Sequence, residues 1–229
     1  TPAYLLNCVI AAMIWPAFAA VGMLGSGVLK SEEGKNFLNT IRDTRYLGIA
    51  LAVIFAVSIL FSGSGGVTST SISRDGQNLY VSKYIPLSFK DQIMARIIPG
   101  IILSSISVIL TLAVAFFYIG FIPELIIPGL IVSFLGILLT SFIGILLELR
   151  FPKLNWDNEE KAVKQNMNFM MVMFGSMILS TSAVIIIVLL KLSLWYAFGA
   201  IVLIFGGIDI ALYYVIMNQG QKWFEAIEL

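Results

Sequence analysis

The chain has 229 residues, of which 59% are hydrophobic and 12% are charged, with a mean hydropathy of +0.96. Soluble domains carry about a quarter charged residues, so this chain is too apolar to cover a water-facing surface, and its outer solvent is predicted to be lipid. A net charge of +1 gives no basic excess for nucleic acid, and the absence of histidine excludes a histidine-based hydrolase and the usual His-rich metal site. The single cysteine, Cys8, excludes an internal disulfide framework.

The chain starts with Thr1-Pro2 and enters an apolar run at Tyr4. No basic region precedes that run, so no signal peptide is predicted. The missing initiator methionine indicates a fragment or a processed piece of a longer protein.

Six apolar stretches are each long enough to cross a hydrocarbon core of about 30 Å as a helix. A helix is required because lipid offers no hydrogen-bond partners to the backbone. The sequence therefore predicts an all-α fold, with residues 1–229 forming a single transmembrane domain of six helices. The apolar character of the second span weakens after Phe61. The predicted spans are 4–29, 47–67, 97–121, 123–147, 169–190 and 194–217.

Lysine and arginine collect on the cytoplasmic side of membrane proteins, and their distribution predicts the orientation. If both termini are cytoplasmic, nine positive residues lie inside and five outside, so we predict a multi-pass protein of the plasma membrane with this orientation. Two polar segments, 69–96 and 148–168, then face the cytoplasm, where a soluble partner could bind. The inner residues are Arg74, Lys83, Lys90, Arg96, Arg150, Lys153, Lys161, Lys164 and Lys222, and the outer ones are Lys30, Lys35, Arg42, Arg45 and Lys191.

The first inner segment contains a turn followed by a short amphipathic helix. Asp75-Gly76 is a turn signal. Pro86 ends the helix, because the residue before a proline disfavours the α region. Between them, large side chains recur at helical spacing on one face, namely Leu79, Tyr80, Lys83 and Tyr84.

A second helix is predicted to follow directly. Ser88 and Asp91, three residues apart, form a capping box that opens a helix running through Ile93 and Arg96 into the third span. The short helix is thus joined rigidly to a membrane helix. Two interpretations remain open: an interfacial helix that anchors the bundle, or a lever that a cytosolic motor can push.

Two motifs in the inner segments resemble those of a known family. The first reads S-R-D-G-Q-N-L at 73–79, followed by K-Y-I-P-L-S at 83–88. The second reads F-P-K-L-N-W at 151–156, followed by A-V-K-Q at 162–165. Both resemble the permease subunits of type-2 ATP-binding-cassette (ABC) exporters, in particular bacterial ones. The six-span pattern extends this resemblance over most of the chain.

The resemblance implies a permease that is not itself an enzyme and that exports its substrate by alternating access. ATP and Mg would be bound by a cytosolic ATPase subunit, with no cofactor or metal on this chain, which contains no G-x-x-x-x-G-K-[ST] loop. A second permease half or a homodimer would complete the transporter. Related permeases carry an amphipathic segment before the first span and are often larger, so the chain resembles the C-terminal half of a longer permease.

The resemblance also implies roles for individual residues. The inner segment after the second span acts in the family as a coupling helix, which assigns contacts with the ATPase to Arg74, Asp75, Gly76, Lys83, Tyr84 and Pro86. The second inner segment would add secondary contacts through Lys153, Trp156 and Lys164.

Asp209 is the only charged residue deep within an apolar span. A carboxylate there is costly unless it is protonated or paired, which makes it a functional candidate. Tyr213, four residues later, lies on the same helical face and could donate a hydrogen bond to it. Either Asp209 serves an ion-coupled secondary transporter, or it is structural and pins two helices together or meets water near the inner interface.

Other polar residues of the spans have a packing explanation. Small residues such as Gly136 and Gly144 allow membrane helices to approach closely. Glu124 and Glu148 lie at span ends, where we expect water to solvate them. The third span carries a polar stripe, for which we favour packing over a substrate lining, formed by Ser104, Ser107 and Thr111.

Two further function classes can be weighed. An intramembrane enzyme needs a convergent pair of catalytic groups, and the sequence offers neither a histidine nor a second acid deep in a span. A non-transporting membrane scaffold would have the same pattern of spans and remains an alternative. The cargo is not identified by the sequence, although few fixed charges suit a lipidic, peptide or drug-like molecule.

Overall fold

The computed structural model describes residues 46–119 and 122–227, together with isolated positions between 10 and 43. Every secondary-structure element in the two long ranges is helical, which confirms the all-α class for this part of the chain. The first predicted span, 4–29, lies outside the described residues apart from isolated positions. The helices are α1 (Leu47–Gly65), α2 (Leu79–Tyr84), α3 (Phe89–Ile119), α4 (Pro123–Arg150), α5 (Glu159–Lys164), α6 (Met167–Leu190) and α7 (Leu194–Glu225), with 3₁₀ turns over Ser73–Asn78.

Five of these helices, α1, α3, α4, α6 and α7, are long and apolar enough to cross a membrane. They coincide with the second to sixth predicted spans, which supports a multi-pass membrane protein. α3 begins at Phe89 rather than at residue 97, and α7 ends at Glu225 rather than at residue 217. Both extensions lie at the end of the bundle that carries Glu148, which we call the Glu148 end.

α1 and α4 are the central helices of the described bundle, since each packs against the other and against α3, α6 and α7. Leu51, Ala52, Phe55 and Ile59 are all completely buried. The Phe55 ring lies 4.6 Å, centroid to centroid, from the ring of Phe205 on α7. A helix with neighbours on several sides must be apolar all round, which explains why α1 shows no clear polar face.

The end of α1 differs from the sequence expectation. The apolar character weakens after Phe61, where residues 62–65 are all serine or glycine, yet the helix continues regularly to Gly65. Gly63 and Gly65 are buried, and close packing against α6 stabilises this turn beyond its weak helical propensity. Gly66 then ends the helix in the left-handed region with φ of 66°, where a Cβ would lie 2.9 Å from Cδ2 of Phe169.

One face of α4 lies against α1 and the segment that follows it. A Cβ on Gly136 would lie 2.5 Å from Ser58 Oγ, and a Cβ on Gly144 would lie 2.8 Å from Thr68 Oγ1. The predicted close packing at both glycines is therefore confirmed. Residues four apart share a helical face, so Thr140 and Glu148 belong to the same surface as the two glycines. We call it the α4 stripe, formed by Gly136, Thr140, Gly144 and Glu148.

The other two positions of the α4 stripe form hydrogen bonds. The Thr140 hydroxyl is bonded to Ser62 Oγ at 2.7 Å, and Glu148 accepts hydrogen bonds from the Ser73 backbone and side chain. Successive residues of the α4 stripe thus contact successively later residues of the segment 58–73. The two segments therefore run in the same direction, toward the Glu148 end.

Two apolar clusters occupy the two ends of the bundle. The cluster at the Glu148 end joins α2, α3, α4 and α7, so the short helix is part of the protein core. Its buried members are Ile72, Leu79, Ile93, Ile97, Phe142, Ile145, Leu149, Ile216 and Phe224. The larger cluster toward the opposite end surrounds α1 and includes Leu47, Leu51, Phe55, Leu125, Val132, Ile187, Leu194 and Ala197.

Candidate functional site

Glu148, in the last turn of α4, is completely buried and is the centre of a hydrogen-bonded cluster. No described lysine or arginine forms an ion pair with it. Its carboxylate accepts five hydrogen bonds, from the N–H groups of Ile72 (2.9 Å) and Ser73 (2.6 Å), Ser73 Oγ (2.8 Å), Asn168 Nδ2 (2.7 Å) and Asn166 Nδ2 (3.4 Å). We call these residues the Glu148 cluster.

The expectation that Glu148 is solvated at a span end is wrong. Segments 69–96 and 148–168 fold over the end of α4, so this span end lies beneath protein and not in water. Hydrogen bonds stabilise the buried carboxylate in place of water. Glu124, at the other end of the same helix, is exposed as expected.

The asparagines of the Glu148 cluster lie at the start of α6. Asn166 is the N-cap residue, and its Oδ1 accepts a hydrogen bond of 2.8 Å from the N–H of Asn168. The Asn168 amide also donates to the carbonyl of Phe151 at 2.8 Å. The Lys153 N–H donates to Ser73 Oγ at 2.8 Å. The segment after α1, the segment after α4 and the start of α6 are thereby joined.

Gly76 and Trp156, which come from the two different motifs, are in contact. Trp156 Nε1 donates to the carbonyl oxygen of Ser73 at 2.8 Å. Gly76 has φ of 53° and ψ of −131°, a conformation that is strongly unfavourable for residues with a Cβ. An added Cβ would lie 2.8 Å from Cζ2 of Trp156. The predicted turn at Asp75-Gly76 is confirmed, and the ring of Trp156 packs against it.

Asp75 forms an ion pair with Arg96 of α3, in which Arg96 Nη2 lies 2.5 Å from Asp75 Oδ2. Arg96 Nη1 also donates to the carbonyl oxygen of Ser71 at 2.8 Å. Arg74 donates to the carbonyl oxygen of Val67 at 3.2 Å. The charges of the first motif are therefore engaged within the protein and hold the turn against α3.

The short helix α2 forms as predicted, and it ends at Tyr84 with Ile85 extended before Pro86. Ser88 then caps α3: its Oγ accepts a hydrogen bond from the Asp91 N–H at 3.2 Å and donates to the Asp91 carboxylate at 2.6 Å. α3 runs without interruption from Phe89 through Arg96 into the apolar span. The predicted junction between the short helix and a membrane helix is confirmed.

Lys83 ties α2 to the end of α7. Its Nζ donates to the carbonyl oxygens of Ile227 at 2.7 Å and of Glu225 at 3.2 Å, and lies 5.9 Å from the Phe224 ring centroid. A cation is favourable at the C-terminal end of a helix, where backbone carbonyls lack partners. Lys83 therefore acts as a link inside the protein.

The remaining face of α2 and the residues just after it are open. Tyr84 is the most exposed at 84%, and Pro86 is exposed as well. Leu79 was expected on the same face as Tyr80 and Tyr84, but it lies on the opposite face and is completely buried, because it packs into the apolar cluster at the Glu148 end. We call the open face the α2 surface, formed by Tyr80, Val81, Tyr84, Ile85 and Leu87.

In segment 148–168, side chains that the resemblance assigns to contacts with a partner form hydrogen bonds within the chain. Lys153 Nζ donates to the carbonyl oxygen of Gln165 at 2.9 Å, and Trp156 Nε1 donates to the carbonyl oxygen of Ser73. The side chain of Lys164 lies outside the described residues. At the surface, Lys161 Nζ donates to Asp157 at 2.9 Å, and this hydrogen bond lowers the pKa of the Asp157 carboxyl.

Asp209 lies within α7, does not belong to the Glu148 cluster, and is 4% exposed. Neither carboxylate oxygen has a hydrogen-bond partner among the described residues. Tyr213 is 37% exposed, and its ring packs near that of Phe142 at 6.1 Å between centroids. The predicted hydrogen bond from Tyr213 to Asp209 does not form.

The polar stripe of α3 is buried, and one of its side chains forms a hydrogen bond within the helix. Thr111 Oγ1 donates to the carbonyl oxygen of Ser107 at 2.8 Å. Ser104, Ser107 and Thr111 are 6%, 1% and 8% exposed, so these side chains face the protein interior.

Sequence reasoning missed Glu148 and its two asparagine partners as site residues. A usable signal was present on α4, because Gly136, Thr140 and Gly144 precede Glu148 at intervals of four. Small and weakly polar residues at this spacing indicate a packed face, and Glu148 is the next residue on it. No comparable pattern identifies Asn166 and Asn168 as its partners.

Comparison of the chain with protein families, with curated proteins and with solved structures finds no match.

Proposed function

We propose that the chain is the transmembrane permease component of an ATP-driven exporter and that the α2 surface receives the force from a cytosolic ATPase subunit. The observation that carries the proposal is the contrast between the two faces of α2. Its outer face exposes two tyrosines and aliphatic side chains, whereas Leu79 on the other face is part of the bundle core. Aromatic residues exposed on a fixed element are typical of protein interfaces.

An element that passes force must be firmly connected to the parts that it moves. Three connections at α2 meet this requirement: the Asp75–Arg96 ion pair to α3, the Lys83 hydrogen bonds to the end of α7, and the direct continuation through Ser88 into α3. In this proposal the Glu148 end faces the cytoplasm, together with both chain termini. ATP and Mg bind to the partner, and the chain works beside a second permease half or a second copy of itself.

The experiment that tests the proposal is a pull-down of the tagged chain in detergent from the cells that naturally produce it. The bound fraction is assayed for ATP hydrolysis and for labelling by a photoreactive ATP analogue. The wild-type chain is expected to retain an ATPase. The double variant Tyr80→Ser and Tyr84→Ser removes two side chains of the α2 surface and is expected to lose it.

The matched control is Tyr196→Ser on α7, which removes a tyrosine that is 75% exposed at the opposite end of the bundle. This variant is expected to retain the ATPase. If the tyrosine pair on α2 can be removed without effect, the docking surface is placed wrongly. If no ATPase is retained by the wild-type chain, the exporter assignment fails and a non-transporting scaffold gains support.

A second candidate function, an ion-coupled secondary transporter, is favoured by one observation. Asp209 is buried within a span without a described hydrogen-bond partner, and an ionisable residue inside a span is a candidate for binding a proton or a cation. In liposomes that contain the purified chain alone, transport driven by an ion gradient and abolished by Asp209→Asn would favour this candidate. Transport that requires ATP and an added ATPase would exclude it.

A further inference from the structure

A groove of about 500 Å³ opens at the Glu148 end between the last turn of α4 and the last turn of α7. Such a volume is within the usual range for small-ligand sites. Among the described residues that line it, Arg150 is the only charged one and none is acidic. Its main walls are formed by Arg150, Phe151, Leu154, Asn155 and Trp223.

Arg150 has an unusual environment for an arginine. Its guanidinium carbon lies 3.9 Å from the centroid of the Trp223 ring, which places the planar group against the indole face. Among the described residues, no carboxylate pairs with it and no acceptor hydrogen-bonds to it. Stacking leaves the N–H groups at the edge of the guanidinium available, and these are the groups that bind phosphate oxygens in pairs.

The groove lies beside the end of α4, where a membrane-spanning helix would meet lipid headgroups. α4 is apolar up to Leu147, and Arg150 is the last residue of the helix. Phe151, directly after it, is 66% exposed, and Trp223 lies in the last turns of the long helix α7. Arginine and tryptophan at span ends are the residues that meet the headgroup region.

We propose that this groove binds the phosphate headgroup of an anionic phospholipid, with Arg150 contacting the phosphate and Trp223 and Phe151 contacting the glycerol and upper acyl chains. The argument for a lipid is the combination of one unpaired cation, aromatic walls and a position at the end of a span. The proposal does not depend on the exporter assignment, since it concerns a different surface from that of α2.

The experiment measures the melting temperature of the purified chain in detergent while phosphatidylglycerol, phosphatidylcholine or inorganic phosphate is added. Phosphatidylglycerol is expected to raise the melting temperature, since a ligand that binds only the folded state stabilises it. Arg150→Gln should raise the phosphatidylglycerol concentration for half-maximal effect by about tenfold, through loss of charge-assisted hydrogen bonds. Lys222→Gln, which removes an exposed positive charge beside Trp223 but outside the groove, should behave as wild type.

A second measurement does not depend on the stability of the variants. Phosphatidylglycerol with brominated acyl chains should quench Trp223 fluorescence, identified as the signal that is lost in Trp223→Phe. Weaker quenching in Arg150→Gln than in Lys222→Gln would support the site. Equal effects of phosphatidylcholine, an unchanged response in Arg150→Gln, or full stabilisation by inorganic phosphate alone would each overturn the lipid proposal.

Discussion

The indole ring of Trp156 occupies the space that a side chain on Gly76 would need, because an added Cβ would lie 2.8 Å from its Cζ2 atom. The two residues are 80 positions apart in the sequence and belong to different polar segments, 69–96 and 148–168. The hydrogen bond from Trp156 Nε1 to the carbonyl of Ser73 fixes the ring in this position. The two polar segments therefore form one folded unit at the Glu148 end.

Gly76→Ala is expected to destabilise the protein strongly. The substitution combines a steric clash with Trp156 and a positive φ that a residue with a Cβ adopts at a cost of about 1–3 kcal/mol. Thermal unfolding in detergent should show a clearly lower melting temperature. Because the two effects are separate, Trp156→Ala should remove only the clash when it is combined with Gly76→Ala.

A suitable control for this substitution is Gly207→Ala in α7. A Cβ there meets no described atom within 4 Å, and the residue is helical. Alanine has the higher helix propensity, so the melting temperature should stay the same or rise slightly. If Gly76→Ala and Gly207→Ala lowered the melting temperature equally, Gly76 would have no special conformational role.

Glu148→Ala is expected to be among the most damaging single substitutions in the bundle. It leaves the N–H groups of Ile72 and Ser73 buried without their acceptor, at about 1–3 kcal/mol for each unsatisfied group, and removes one of the two acceptors of the Asn168 amide. Glu148→Gln keeps the shape of the side chain and one acceptor oxygen, so this variant should lose less stability. Thermal unfolding gives the ranking, and hydrogen exchange at residues 72 and 73 should report the local opening.

Glu124→Gln provides the comparison, since it changes an exposed carboxylate at the other end of the same helix. We expect no measurable change in stability or exchange. If Glu148→Ala unfolds at the same temperature as Glu124→Gln, the hydrogen-bonded cluster contributes little to the fold.

The ion pair between Asp75 and Arg96 should show a measurable coupling energy. A double-mutant cycle with Asp75→Asn and Arg96→Gln isolates the pair from the additional hydrogen bond of Arg96 to Ser71. Because both side chains are largely shielded from water, we expect a coupling of about 1 kcal/mol or more. Added salt should weaken it only slightly, whereas a coupling near zero would mean that the ion pair does not hold the turn.

Lys83→Met is expected to release the end of α7 and leave the rest of the bundle folded. The methionine keeps most of the aliphatic stem but loses the donors to the carbonyls of Glu225 and Ile227. Hydrogen exchange in residues 222–227 should accelerate. Lys90→Met, at an exposed position at the start of α3, should leave that exchange unchanged.

Asp209→Leu is expected to raise the melting temperature. Asp209 is buried without a described hydrogen-bond partner, and replacing an uncompensated polar group with an apolar one of similar size usually stabilises a protein. A stabilising change at a residue whose loss also abolishes transport would indicate a functional site. A lower melting temperature would instead show that Asp209 has a structural partner.

Much of the secondary structure follows from local rules in the sequence. The spans are recognised because their apolar runs have the length of a bilayer, and the start of α3 is recognised because Ser88 and Asp91 have the spacing of a helix cap. Pro86 marks the end of α2 for an equally local reason. Such features depend on neighbours within a few residues, so one sequence is sufficient to predict them.

The candidate site depends on contacts between distant residues, which single-sequence patterns do not reveal. Glu148 resembles a solvated end residue until the segment of Ile72 and Ser73 is folded over it. Lys83 and Arg74 resemble free charges for binding a partner, although both bind backbone carbonyls of this chain. These contacts within the chain follow from tertiary packing, and the predicted contacts with an ATPase stay a prediction.

The even spacing of the α4 stripe has a consequence for motion. From Gly136 to Glu148 the stripe covers about 18 Å along the helix axis, with a close contact or hydrogen bond at every turn. A slide or tilt of α4 against α1 would disrupt several of these contacts together, so the two helices should move as one rigid body. Any rearrangement of the bundle must then occur at other interfaces, where α3, α6 and α7 meet this pair.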